Sequence, residues 1–212
     1  AGLKPVFLRL RAFFQEHPGG VPIEVLRVDE RQDIALLKTV GWAPATRPLV
    51  LQADPDEVKE GQPILLIGYP TGLKAVIAKM DEAEQAAIEE QTGACSYKTA
   101  ERLSAQKQLR ATITSGFLWD VLPHLLVYDA RTIGGGSGGP ILDWSGRVIG
   151  VNAAYLEEFQ GGNYGVPIQF GKRLLAGGGI AVHEAGKESQ ELLKCYESEK
   201  EKNITSCNTR KK

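Results

Sequence analysis

The chain has 212 residues, 25 Lys and Arg against 26 Asp and Glu, and a formal net charge of −1. With both signs interspersed there is no basic footprint for nucleic acid or for an anionic membrane surface, and the longest apolar runs fall well short of a membrane span. The three cysteines, Cys95, Cys195 and Cys207, do not make a disulfide framework; a Cys195–Cys207 bridge and free thiols are both compatible with their spacing. No signal peptide is visible.

Taken in chain order, period-two runs predict strands over 6–14, 22–30 and 33–38, with His17-Pro18-Gly19-Gly20 as a turn between the first two. Residues 41–63 read as a long connector, broken by Pro44, Pro48 and Pro55, with a turn at Asp54-Pro55-Asp56. A strand follows near 63–70. At Leu73 the period changes, and Leu73, Val76, Ile77, Met80, Ala83, Ala87 and Ile88 recur at three- and four-residue intervals, predicting an amphipathic helix that ends at Gly93. A second helix is predicted over 97–109, so that 73–110 forms a helical hairpin inserted into a β framework. Further strands are predicted near 111–119, 125–130, 138–143, 147–155 and 163–169, then a helix over 170–176. The tail from Glu184 to Lys212 is charged and helix-prone, and such segments are most often partly disordered.

The chemistry concentrates in Gly134-Gly135-Gly136-Ser137-Gly138-Gly139-Pro140. Glycines around one hydroxyl let the backbone turn sharply and let a substrate carbonyl approach main-chain N–H groups without Cβ clashes. That suits a nucleophile beside an oxyanion hole made by the amides of Gly135 and Ser137. A flexible linker has a similar composition, but the run sits between apolar β segments, Leu125-Leu126-Val127-Tyr128 and Ile141-Leu142. Gly134, Gly136 and Gly139 also spell a dinucleotide fingerprint, and Gly135-x-Ser137-x-Gly139 a nucleophile elbow. Both demand a helix directly afterwards, and Pro140 with a further strand follows instead.

Several segments in the same order resemble the trypsin-like serine proteases, in particular the bacterial branch of the high-temperature-requirement proteases. Asp33-Ile34-Ala35-Leu36-Leu37-Lys38 is similar to the segment with the triad aspartate, and Gly61 to Pro70 to the strand that opens the second barrel. Ala111-Thr112-Ile113-Thr114-Ser115-Gly116 resembles the next strand, Asp129 to Pro140 the nucleophile loop, and Val148–Asn152 with Tyr164–Ile168 the strands beside the substrate. The resemblance implies an all-β fold of two six-stranded antiparallel barrels. Residues 1–52 would be the later part of the first barrel and the connector, 53–176 the second barrel carrying the insertion, and 177–212 the tail. The insertion is expected to lie on the second barrel.

The resemblance further implies a serine endopeptidase acting on polypeptides, with Ser137 as nucleophile, Asp33 orienting a histidine, and no metal or other cofactor. Arg131 aligns with the base of the specificity pocket, and Asn152, Ala153, Ala154, Gly165 and Val166 with the substrate walls; an extended peptide would pair along 152–154. None of His17, His124 and His183 stands in family order for the triad histidine. Only three strands are visible for the first barrel, and the chain starts at Ala1, so the expectation is that the histidine lies upstream. The alternative is an inactive relative that binds peptides or regulates a partner. Family resemblance alone favours an extracytoplasmic location.

Overall fold

The computed structural model describes residues 10–15, 17–45, 47–52, 54–93, 96–155 and 162–181. Three strands come first, β1 (Arg11–Phe14), β2 (His17–Asp29) and β3 (Ile34–Thr39). His17, expected in a turn, instead opens β2 opposite Phe14, because the hairpin reverses over only two residues. Of the predicted first strand, residues 6–9 lie outside the described residues, as does the tail from 182. The Asp54-Pro55-Asp56 turn is a 3-10 helix (Pro55–Glu57) whose N-cap, Asp54, accepts the Asp56 N–H at 2.8 Å.

Six strands then form a closed antiparallel barrel: β4 (Pro63–Gly68), β5 (Thr112–Leu122), β6 (Leu125–Tyr128), β7 (Pro140–Asp143), β8 (Val148–Tyr155) and β9 (Asn163–Pro167), in the order β4-β5-β6-β9-β8-β7. Alternate residues point inward, as a strand's two-residue period requires. Ile64, Leu66, Leu118, Leu126, Tyr128, Ile141 and Ile149 therefore meet in one core, each at most 3% exposed. Closure leaves no strand edge unpaired. The predicted strands of this half coincide with the observed ones to within a few residues.

Between β4 and β5 the insertion forms three helices rather than two: α1 (Leu73–Ile77), α2 (Glu82–Thr92) and α3 (Ser96–Ala105). Asp81 starts α2 with a capping box, accepting the Glu84 N–H at 2.8 Å while Glu84 reaches back to the Asp81 N–H. Gly93 ends it at φ +55°, where the sequence predicted. The docking differs from expectation. The helices leave the barrel and pack on the β1–β2 hairpin, where Phe13 joins Val76, Ile88, Leu103 and Leu109 in a second core. The fully buried Ser104 hydroxyl donates to the Phe14 carbonyl at 2.6 Å and to the His17 carbonyl at 3.2 Å. The physical reason is that the hairpin belongs to an open sheet with an apolar face, and the helices bury it.

After β9, α4 (Ile168–Leu175) begins two residues earlier than predicted and packs against β3, β8 and β9, burying Ile168, Phe170 and Leu174. A short strand, β10 (Ile180–Ala181), pairs with Val28 and Arg27 of β2 on the side away from β3. The first half is thus a four-stranded sheet linked to the barrel by helices.

Candidate active site

The loop from β6 to β7 carries Ser137, and hydrogen bonds from three directions shape it. The Gly136 N–H donates to the Ile133 carbonyl at 3.1 Å and the Gly139 N–H to the Gly136 carbonyl at 3.2 Å, which coils the loop on itself. From β8, Asn152 receives the Gly138 N–H on its carbonyl at 2.7 Å and donates its own N–H to the Gly139 carbonyl at 2.8 Å. From the turn between β4 and α1, the Thr71 N–H donates to the Gly134 carbonyl at 2.7 Å.

Three glycines of the loop are crowded, and a Cβ on Gly139 would lie 2.2 Å from the Ile67 carbonyl oxygen. Gly135 has φ +95°, and a Cβ there would come within 2.8 Å of the Gly72 nitrogen and 3.0 Å of the Tyr69 carbonyl oxygen. A Cβ on Gly136 would lie 2.2 Å from Thr132 Oγ1 and 3.2 Å from Asn152 Nδ2. At Gly135 and Gly139 the obstacle is main chain, so the loop keeps this path only with glycine there, whereas at Gly136 it is the Thr132 side chain.

Ser137 is exposed, and its Oγ donates to the Ala153 carbonyl at 2.8 Å. Among the described residues, neither the Gly135 N–H nor the Ser137 N–H meets a hydrogen-bond acceptor. Main-chain donors left open beside a hydroxyl on a rigid loop can stabilise negative charge that develops on a neighbouring oxygen.

The remaining predicted residues divide between the two halves. Asp33 is exposed at the end of the β2–β3 turn with φ +50°, and no hydrogen bond or ion pair among the described residues joins it to a histidine or to Ser137. The next residue, Ile34, faces α4 at Gly171. Arg131 is also exposed: its carbonyl accepts the Thr114 hydroxyl at 2.9 Å, and its guanidinium makes no ion pair among the described residues. Ala153 is half-buried, and Ala154 pairs with Tyr164 of β9. Gly165 and Val166 are buried in the barrel wall. Asn152 is 3% exposed, its main chain is engaged by the nucleophile loop, and its Oδ1 accepts a short hydrogen bond from the Tyr128 hydroxyl.

The two described histidines stand apart from this loop. His17 packs edge-on against Trp42, with ring centroids 5.2 Å apart. His124 is exposed in the β5–β6 turn, and His183 lies outside the described residues. That turn is at the other mouth of the barrel, where a cleft of about 710 Å³ opens between Val58, Val121, Leu122, Leu126, Pro167 and Lys172. No group of three or more His, Cys, Asp or Glu among the described residues could hold a metal ion.

Sequence reasoning missed two supports of the loop. The Tyr69–Gly72 turn against Gly135 was signalled by Pro70-Thr71-Gly72 directly after an apolar strand. The Tyr128–Asn152 contact, between two separate strands, had no local signal.

Ser137 thus stands on a glycine loop at one mouth of an antiparallel six-stranded barrel, with open main-chain donors beside it. Residues 12–151 match the trypsin-like peptidase domain, and the chain belongs to that family. It is similar to the magnetosome formation protease MamE of Paramagnetospirillum magneticum (strain ATCC 700264 / AMB-1), with 28% identity over 131 residues. That match covers 62% of this chain and 14% of MamE, so the chain spans a small part of that relative's length. Among solved structures it is similar to the inactive form of a mutant of Rv3671c from M. tuberculosis H37Rv, at a TM-score of 0.49 and 19% identity, covering 74% of this chain and 64% of the other.

Proposed function

We propose that the protein is a serine endopeptidase in which Ser137 is the nucleophile. The observation that carries this reading is the pair of open N–H groups at Gly135 and Ser137 beside an exposed hydroxyl, on a loop in which a Cβ on Gly135 or Gly139 would collide with neighbouring main chain. Ser137 Oγ attacks the scissile carbonyl carbon and gives its proton to a histidine. The two N–H groups hold the oxyanion, and the histidine returns the proton to the departing amine. Water then repeats the sequence on the acyl-enzyme. Asp33 orients the histidine and stabilises its charged form without taking the proton itself.

Among the described residues no histidine stands beside Ser137, because His17 packs edge-on against Trp42 and His124 stands at the far mouth. We assign the triad histidine to sequence preceding Ala1. Substrate runs past Arg131, Ala153 and Ala154, and Arg131 selects an acidic side chain if it turns inward on binding. Asn152, Gly165 and Val166 contribute to the walls through the strands they build.

A second reading has one observation in its favour. The Ser137 hydroxyl donates to the Ala153 carbonyl and, among the described residues, meets no base, as suits a relative that binds peptide without cutting it. Peptide turnover separates the two. In the natural protein, peptide cleavage abolished by Ser137→Ala and lowered on the order of 10⁴-fold by Asp33→Asn supports the endopeptidase. Peptide binding without cleavage supports the second reading.

A further inference from the structure

The buried tyrosine beneath the nucleophile loop has no part in the mechanism above, yet it touches the residue that the loop hangs from. Tyr128 lies on β6 with 0% exposure, and its hydroxyl donates to Asn152 Oδ1 across the barrel interior. Asn152 is the one residue of β8 that engages the loop through both its main-chain groups and its side chain. Its N–H and C=O hold Gly139 and Gly138, its Nδ2 lies against Gly136, and the next carbonyl, that of Ala153, receives Ser137 Oγ. Every residue from Gly136 to Gly139 is therefore in contact with Asn152 or its neighbour.

The side-chain amide of Asn152 has two rotations, and the choice between them is made in the buried barrel interior. With the Tyr128 hydroxyl as donor, Oδ1 must face it, which places Nδ2 on the side of Gly136. Burial raises the Tyr128 hydroxyl far above its ordinary pKa, so it remains a donor throughout the working pH range. Removing that donor strands a buried carbonyl oxygen, the asymmetric cost of breaking one side of a buried hydrogen bond. The amide is then free to turn, which moves Nδ2 from its place against Gly136 of the loop.

We propose that Tyr128 and Asn152 are positioning residues for the nucleophile loop: the tyrosine fixes the Asn152 amide, and Asn152 fixes the Gly136–Gly139 main chain and with it the direction of Ser137. The proposal rests on Ser137 being the nucleophile only for its effect on catalysis. Its effect on the loop is independent of that reading.

The test uses Tyr128→Phe, which keeps the ring and removes the donor, with Asn152→Ala as a second variant that removes the amide should the first fail to fold. Amide hydrogen exchange is followed by NMR, together with fluorophosphonate labelling of Ser137 and peptide kinetics in the natural protein. The expected result is exchange of the Gly138 and Asn152 amides faster by about tenfold, with the β4–β5 ladder unchanged, and a kcat lower by about tenfold at constant KM; that factor corresponds to 1.4 kcal/mol. Unchanged exchange at Gly138, or equal acceleration through the whole barrel, overturns the proposal. Local acceleration at Gly138 in a protein whose Ser137 is never labelled, even without substitution, supports the positioning of the loop and removes the nucleophile reading instead.

Discussion

The barrel of β4–β9 and the sheet of β1–β3 and β10 solve the same burial problem in different ways. The barrel closes on itself, pairs every strand and fills its interior with side chains almost wholly withdrawn from solvent. The sheet stays open, keeps Leu26, Leu37 and Val40 exposed, and obtains its cover from outside, through α3 on one hairpin and α4 beside β3. The difference places the proposed chemistry. Ser137 and its open N–H groups stand on the closed unit, where the loop is fixed from β8 and from the β4–α1 turn. Asp33 stands on the open one, exposed and in a left-handed turn. The Ser137 loop is therefore held by the barrel and the β4–α1 turn, whereas Asp33 stands exposed on the sheet.

The largest expected contrast is between the two cores. Leu126→Ala, at a position 1% exposed in the barrel, should cost about 3 kcal/mol in urea denaturation. Leu37→Ala, 49% exposed on β3, should cost less than about 0.5 kcal/mol. Equal losses at the two sites would remove the distinction between a closed and an open half.

The helical cover is tested by Ser104→Ala, which deletes the donor to the Phe14 and His17 carbonyls. A loss of about 1.5 kcal/mol is expected, with hydrogen exchange rising in β1 and β2 and not in the barrel. Acceleration confined to the barrel would mean that the insertion serves the barrel after all.

A smaller effect comes from the β7–β8 turn. Burial pushes the Asp143 carboxyl up, but hydrogen bonds from the Arg147 main chain and guanidinium and from the Ser145 N–H outweigh it, with the Arg147 charge adding to them, and hold it below the ordinary value of 3.8. A carboxyl depressed in the folded state adds stability above its unfolded pKa and loses it as pH falls through the folded one. The barrel should therefore lose stability below about pH 4, and Asp143→Asn should cost about 1 kcal/mol at pH 7 while flattening that acid limb. A parallel pair of urea-midpoint curves from pH 7 to pH 3 would contradict this.

The same division explains what could be read from the chain. Barrel strands announce themselves as short apolar runs between turn residues, as in Pro63–Gly68 and Leu125–Tyr128, so the barrel was legible nearly strand by strand. The insertion was legible as helical from its three- and four-residue period and from Gly93 as a stop signal, but the helix predicted from Leu73 to Gly93 is two, because the start signal at Asp81 was not read. Their docking site was not: an amphipathic face says that it will be buried and not against what, and Phe13 lies 60 or more residues away in sequence from α1. Ser137 was legible because its glycines are contiguous. Tyr128 was not, since its meaning depends on the pairing of β6 and β8 with β9 between them. The pairing of Asp33 with a histidine remains a proposal, because such contacts join distant segments and leave no local pattern.

The most direct measurement is fluorophosphonate labelling of the natural protein, with the modified residue located by peptide mass spectrometry. The account predicts an adduct on Ser137, absent in Ser137→Ala, and only weak labelling of the isolated 212-residue chain. A folded natural protein with an upstream histidine whose Ser137 stays unmodified would contradict it.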